Sequence, residues 1–433
     1  MQDKKKVRIL VIGSGGREHA LVWKIRQSEL VEVVYAAPGN AGMNNIAECV
    51  PIDVLDIDGL VNFAKEKNID LTVVGPEAPL VAGIADRFQE EGLLVFGPTK
   101  EGAQLEGSKV FSKNIMNAAG VPTAKHETFA DPALAKEHVI NSEPPFVIKV
   151  DGLAAGKGVI IAHSAEEGIE AIDSILGEHS FGEAGNRIIV EEYLEGEELS
   201  AIVFTDGENV LPLVTSQDHK RAFDHDEGPN TGGMGAVSPS PLVNQDDVAV
   251  IVNKAIVPII RELKHREIAF RGIIYAGLMI TKKGPMVLEY NVRFGDPEIQ
   301  AILPRLRSDI VPILFEVALG KIAMNSLSWD ARPCVAIVMA SKGYPGSYEK
   351  GSEINGLETV DNAEVTAFHA GTTFNDEKKI VTNGGRVLAV AALGDNMKDA
   401  QQKAYQAMEK IKCDNLFFRT DIGEKAIRGC EHV

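Results

Sequence analysis

Four apolar runs, at residues 7–12, 31–36, 71–74 and 93–96, each end in a glycine- or proline-rich turn, with helix-length sequence between them. Short β-rich runs punctuated in this way read as successive βαβ units. Such units close into a doubly wound parallel sheet with helices on both faces. The expected fold class is therefore α/β, with residues 1–120 as a Rossmann-like first domain of ordinary size. Ligands of such sheets sit beyond the carboxyl ends of the strands. Those ends carry Gly15, Asn40, Glu77 and Pro98. A dinucleotide fingerprint is incomplete, because Glu18 stands where a small residue is required and Ala36 and Ala37 replace the ribose-binding acid. A phosphate or sugar phosphate on the helix N-terminus after Gly13 remains open. So does a glycine turn that only packs helix on strand.

A second glycine-rich run has a different shape. Lys149, Gly152, Gly156, Lys157 and Gly158 lie between the apolar segments 145–148 and 159–162. That order is strand, glycine turn, strand. Glycines let the backbone approach phosphate oxygens, and lysines add positive charge. It is not a Walker A loop: three residues separate Gly152 from Gly156, and Lys157 is followed by Gly158. A flexible hairpin that closes over a nucleotide fits, and the competing reading is a tight hairpin with solvated lysines. This β-rich unit spans 121–192, followed by mixed sheet and helices over 193–325 and a last unit over 326–433.

Residues 286–293 read as a further strand. Side chains two apart share a face, so Glu289, Asn291 and Arg293 point the same way. Two oxygen donors and a guanidinium on one face suit Mg²⁺ bridging phosphates, with Arg293 on a carboxylate or phosphate. The flanking Val287, Leu288 and Val292 make the strand look buried, and a buried polar row needs partners. Next comes Gly295-Asp296-Pro297-Glu298, a rigid turn bearing two acids. It is also expected to start a helix, with Asp296 as cap and Pro297 in the first position. Residues 217–236 show no strand or helix period, and loops that long are usually functional. With the basic triplet His219-Lys220-Arg221 in it, next to Asp218, this loop is expected to bind an anionic substrate.

Composition sets outer bounds. The chain has 433 residues and a net charge of −18. So acidic a surface argues against nucleic acid and anionic membranes as partners. Four scattered cysteines without metal spacing point to a reducing cytoplasm. No secretory segment or membrane span is expected.

Taken in order, five motifs resemble the ATP-grasp superfamily and, within it, the phosphoribosylamine–glycine ligase family. They are Gly13-Ser14-Gly15-Gly16-Arg17-Glu18-His19, Gly75-Pro76-Glu77-Ala78-Pro79-Leu80, residues 149–158, Gly228-Pro229-Asn230-Thr231-Gly232-Gly233-Met234-Gly235-Ala236, and Arg293-Phe294-Gly295-Asp296-Pro297-Glu298. With Gly384-Gly385-Arg386-Val387 they span nearly the whole chain. The resemblance implies an ATP-grasp fold: a parallel-sheet N-terminal domain, a small mobile lid, a central mixed-sheet domain and a C-terminal domain. It implies that ATP, glycine and 5-phosphoribosylamine give ADP, phosphate and glycinamide ribonucleotide. It further implies that Lys149, Gly152, Gly156, Lys157 and Gly158 hold ATP phosphates. Glu191, Tyr193 and Leu194 would meet adenine, and Glu198 the ribose. Glu289 and Asn291 would hold Mg²⁺ or Mn²⁺. Arg293 with Asp218, Lys220 and Arg221 would hold glycine and the second substrate. Gly15, Asn40 and Glu77, with Asp296, Pro297 and Glu298, would complete the substrate site. A stand-alone cytoplasmic monomer is expected. The alternatives are another ATP-grasp ligase or carboxylase, or a non-catalytic nucleotide or phosphosugar sensor.

Overall fold

The first sheet is parallel throughout, and the computed structural model places five strands in it where four were expected. Val7–Gly13 lies at its centre, flanked by Val31–Pro38 on one side and Leu71–Val74 on the other. Glu48–Cys49 and Val95–Phe96 form the edges. The two-residue Glu48–Cys49 strand is too short to show a period in sequence. The structure describes residues 6–154, 158–178, 180 and 182–430. Alternation along the central strand sends Ile9 and Val11 into one hydrophobic cluster and Leu10 and Ile12 into another. A strand buried on both faces must be covered by helices on both. Gly16–Ile25 packs on one side, and Ile57–Glu66 and Ile84–Glu90 on the other.

The segments on either side of the glycine-rich run pair with each other, as expected. Phe146–Val150 pairs antiparallel with Val159–Ala162, and Ile188–Glu192 and His126–Phe129 complete a four-stranded sheet. This sheet has its own small core, built from Val139, Phe146, Ile148, Ile172 and Val190. A unit with a separate core can move as a body without breaking its neighbour's packing.

A second four-stranded antiparallel sheet contains Glu197–Thr205, Val210–Pro212, Gly272–Thr281 and Gly284–Asn291. The span 217–236 is not the loop that its irregular pattern suggests. Gln217–Asp218 and Gly235–Ser238 pair with each other and join Cys334–Ser341 in a six-stranded sheet. Arg221–Phe223 and Glu227–Asn230 form a separate two-stranded ribbon. Strands of two to four residues fall below the window in which a period of two is visible.

Phe294 fixes the Arg293–Glu298 turn between the sheets. It is fully buried, stacked on Phe96 with ring centres 5.8 Å apart, and edge-on to Phe204 at 5.7 Å. The helix after this turn runs Glu298–Ile302, with Pro297 rather than Asp296 at its cap. The Asp296 carboxylate makes no capping bond. Its Oδ1 accepts from Gln300 Nε2 at 2.7 Å and its Oδ2 pairs with Arg386 Nη2 at 3.2 Å.

Candidate active site

The strand Gly284–Asn291 supplies the centre of a cleft of about 580 Å³. Its pairing slips at Leu278, so that Gly277 faces Glu289 while Leu278 faces Val287, and Leu288 is the extra residue. A bulge leaves one backbone group outside the ladder. Here the Leu288 carbonyl accepts from Lys149 Nζ at 3.2 Å. Beyond the bulge, Glu289 and Asn291 line the cleft together, as their spacing predicts; the strand ends at Asn291, two residues short of the expected end, and Arg293 lines the cleft from the bend that follows.

Arg293 is held on several sides. Its Nη2 donates to Asn291 Oδ1 at 3.0 Å and pairs with Glu106 Oε1 at 3.0 Å; its Nε is 3.3 Å from Glu77 Oε2. Burial would lower its pKa, but Glu106 and Glu77 outweigh that and raise it. Burial pushes the Glu106 carboxyl up, and Arg293 only partly offsets this. Glu77 ends below the ordinary carboxylate range, because Arg293 and Arg17 outweigh its burial.

A second buried set ties the hairpin to the helix Lys109–Ala118. Glu191 Oε2 is 2.9 Å from Lys149 Nζ, and its Oε1 is 3.1 Å from Lys113 Nζ. Burial works against the Glu191 carboxylate, and the two lysines outweigh it. Burial also pulls the Lys113 ammonium down to about 8. Glu191 therefore lines the cleft as the centre of a lysine pair. Lys220 Nζ lies 2.7 Å from Glu198 Oε2, so these two expected ligand contacts meet each other.

The cleft also gathers Gly152, Gly158, Tyr193 and Leu194. Gly156 and Lys157 lie outside the described residues. Val147, Val159, Ile161 and Leu288 give this end apolar walls next to Tyr193 and Leu194, a slot suited to a flat base. Asp218 lies deep in the cleft; its buried Oδ1 has no hydrogen-bond partner among the described residues, and burial next to Glu298 pushes its pKa well up. Glu298 accepts from the Tyr275 hydroxyl and, at 3.3 Å, from Ser200 Oγ.

Gly15 and Asn40 open instead on a second cavity of about 640 Å³. Asn40 is rigid there: its Nδ2 donates to the Ser14 and His369 carbonyls, each at 2.8 Å, and its Oδ1 accepts from two backbone amides. Segments 370–374 and 383–384 form the far wall. Asp296 and Arg386 line both cavities, so their ion pair is the partition between them. Glu77 sits in the first cavity, apart from Gly15 and Asn40.

Two expected site residues line neither cavity. Arg221 follows Lys220 directly on an extended segment, so it faces the other way; its Nη1 donates to the Gly228 carbonyl at 2.7 Å within the ribbon. Pro297 is packed toward Gly233, where an added Cβ would come within 2.4 Å of its ring. Glu106, Lys109, Lys113, Arg17 and Arg386 also belong to these charge networks. The first three lie on helices whose polar residues resemble solvent faces. Arg17 and Arg386 lie within family-like motifs, and an arginine in such a motif is the signal that marks them.

Glu289 bears on whether a divalent cation fits. Its carboxyl is depressed to about 2: burial opposes this, and Lys220, Lys109, Lys149 and Arg293 outweigh it. It is therefore a carboxylate facing into a cleft of cations, with Asn291 beside it as a second oxygen donor. No cluster of three or more His, Cys, Asp or Glu residues arranged for a metal occurs among the described residues. A small hard cation bound mainly by phosphates and water needs only one or two protein carboxylates, so the donor set fits Mg²⁺ arriving with a nucleotide.

Three family models match consecutive stretches of this chain. The phosphoribosylglycinamide synthetase N domain matches residues 7–106, its ATP-grasp (A) domain 107–299 and its C domain 334–425. A phosphoribosylamine–glycine ligase of Halalkalibacterium halodurans is 53% identical over 97% of each chain. That of Escherichia coli K12 is 49% identical over 97% of this chain and 99% of its own. The crystal structure of the Thermotoga maritima phosphoribosylamine–glycine ligase superposes with a TM-score of 0.83 at 36% identity, covering 96% of this chain and all of that one. The biotin carboxylase domain of a Hydrogenobacter thermophilus 2-oxoglutarate carboxylase shares the fold, with a TM-score of 0.74 at 15% identity over 98% of each chain.

Proposed function

The chain belongs to the phosphoribosylglycinamide synthetase family, and on that footing we propose that it joins glycine to 5-phosphoribosylamine while ATP becomes ADP and phosphate. The product is glycinamide ribonucleotide, an intermediate of purine biosynthesis. The observation that carries this reading is the Asp296–Arg386 partition shared by two adjoining cavities. One cavity holds cationic residues and a base slot for ATP. The other, at the carboxyl ends of the parallel strands, takes the phosphosugar amine.

A carboxylate is a poor acyl donor until it is phosphorylated. Phosphoryl transfer asks for positioning and charge neutralisation. Lys149 and Lys109 neutralise phosphate charge, and Tyr193 and Leu194 hold the base. Glu289 and Asn291 would hold Mg²⁺, or Mn²⁺ in its place. When bound, the cation supplies charge stabilisation to the transferring phosphoryl group. Lys220 and Arg293 orient the glycine carboxylate for in-line attack. No serine or cysteine with an adjoining base lies in a recognisable motif, so glycine itself is the nucleophile. The amine then attacks the glycyl phosphate from the second cavity and expels phosphate. We assign the enzyme to the cytoplasm as a monomer. Among the described residues no helix is long and apolar enough to cross a membrane.

The route has an isotopic signature. One carboxylate oxygen of glycine must leave in the released phosphate. Glycine carrying heavy oxygen in both carboxylate positions is expected to pass one labelled atom to inorganic phosphate per turnover. Unlabelled phosphate with turnover confirmed would point to activation of the amine instead.

The hairpin Phe146–Val150 and Val159–Ala162 is proposed as a lid over ATP, excluding water from the acyl phosphate. Its backbone amides are expected to exchange more slowly in saturating ATP and Mg²⁺ than in the free protein. Equal exchange in the two states would remove the lid from the mechanism.

A further inference from the structure

Arg419 lines neither cavity, yet its side chain is 1% exposed and every guanidinium nitrogen is engaged. Nε and Nη2 form a fork on Asp421 Oδ1 and Oδ2, each at 2.8 Å. Nη1 donates to Asp226 Oδ1 at 3.0 Å and to the Arg221 carbonyl at 3.1 Å. These last two partners belong to the ribbon Arg221–Phe223 and Glu227–Asn230, almost two hundred residues away in sequence. The neighbours of Arg419 repeat the grip. Thr420 donates its amide and hydroxyl to Asp224 at 2.7 and 2.6 Å, and Asp421 Oδ2 accepts the His225 amide at 2.8 Å. Lys425 Nζ reaches Asp226 Oδ2 at 2.7 Å.

The ribbon needs such a grip. It is two-stranded and pairs with no other sheet, and a ribbon of that kind is at best marginal alone. Its turn holds His225 and Asp226 at φ 61° and 57°, a left-handed conformation unfavourable for both. Strain of this sort persists only where surrounding contacts over-determine it. The other end of the ribbon enters the cleft. Lys220 immediately precedes it, Asn230 ends it, and Thr231 and Gly232 follow it, all four lining the first cavity. Thr231 closes the ends, its amide and hydroxyl both donating to the Lys220 carbonyl at 2.8 Å.

We infer that Arg419 is a positioning residue for the ligase reaction: by clamping the ribbon turn through Asp226 and the Arg221 carbonyl, it sets where Lys220 and the 230–232 backbone stand over the bound carboxylate. The inference rests on the proposed reaction for its kinetic consequence, but not for the placement itself. A fork onto a carboxylate fixes direction as well as distance, which a lysine cannot reproduce.

The test uses the full chain. In Arg419→Ala the KM for glycine is expected to rise by about ten- to a hundredfold, the effect of a sub-ångström to ångström misplacement. The KM for ATP should stay within about twofold, since Lys149 is held by Glu191 and the Leu288 carbonyl rather than by the ribbon. Added methylguanidinium should restore part of the loss, and Arg419→Lys should fall between the two. Amide exchange should quicken over 220–232 and stay unchanged over 272–291. If Arg419→Ala does not fold, Asp224→Ala loosens the same clamp at its rim and should give the same exchange pattern with a smaller KM change. A folded variant with unaltered glycine KM and unaltered exchange would overturn the inference. So would a rise in exchange that is equal in the ribbon and the central strands. Wild-type protein that releases no ADP with glycine and phosphoribosylamine would sink the proposed reaction alone, leaving exchange over 220–232 to judge the clamp.

Discussion

Glu289→Gln is expected to slow ATP turnover by about a hundredfold or more, roughly 3 kcal/mol of transition-state stabilisation, while the protein stays folded. The substitution keeps shape and removes one charge. That charge sits in the cleft among Lys220, Lys109, Lys149 and Arg293. The carboxyl is depressed to about 2 in the fold. Its stabilising contribution is thus complete above the ordinary carboxylate range and is lost only as pH falls through about 2. The turnover ratio between wild type and variant should accordingly be flat across the neutral range. Steady-state ADP release at low Mg²⁺, with the thermal midpoint as a control for folding, reads the effect. Near-normal turnover in a folded variant would take Glu289 out of the phosphate site.

Arg293→Met should cost stability as well as activity. The guanidinium pairs with Glu106 and Glu77, and Glu106 is 8% exposed. Removing one partner of a buried pair strands the other charge, typically a loss of about 3–5 kcal/mol. The sign of its pH dependence is fixed. The Glu106 carboxyl is already raised by burial, and Arg293 is the main force holding it down. Without Arg293 it rises further. A carboxyl raised in the fold favours the folded state below its unfolded value, and that advantage is lost as pH rises through the folded value. The variant should therefore be less destabilised in mild acid than in mild base. Urea midpoints at the two pH values decide it, and equal destabilisation at both would mean that Glu106 is not the stranded charge. Glycine-dependent turnover should also be abolished, because Arg293 Nη2 holds Asn291 Oδ1 at 3.0 Å beside Glu289 in the first cavity.

Where the chain spells out a long element, sequence and structure coincide. The parallel strands, the pairing of Phe146–Val150 with Val159–Ala162 and the face shared by Glu289 and Asn291 follow from periodicity and glycine placement, which act over a few residues. The 217–236 segment did not yield to the same reasoning. Its strands are too short to carry a period, and the strand Gly235–Ser238 forms because Cys334–Ser341 offers it an edge. Asp296 looked like a helix cap for the same local reason. It is instead claimed by Arg386 and Gln300, and Arg386 comes from a distant strand.

The α/β alternation, the glycine hairpin, the acid–amide pair on one strand face and, through motif order, the family are legible along the chain. Those properties are local, set by backbone preference and side-chain spacing. Which charges meet was settled by tertiary packing alone. It set Glu191 between Lys113 and Lys149, placed Arg386 on the partition between two cavities, sent Arg221 away from the cleft, and clamped the ribbon with Arg419. Each of these depends on groups far apart in sequence being buried together. In a low-dielectric interior an unpaired charge is too costly to keep, so packing selects the partners. Spacing along the chain carries no record of that choice.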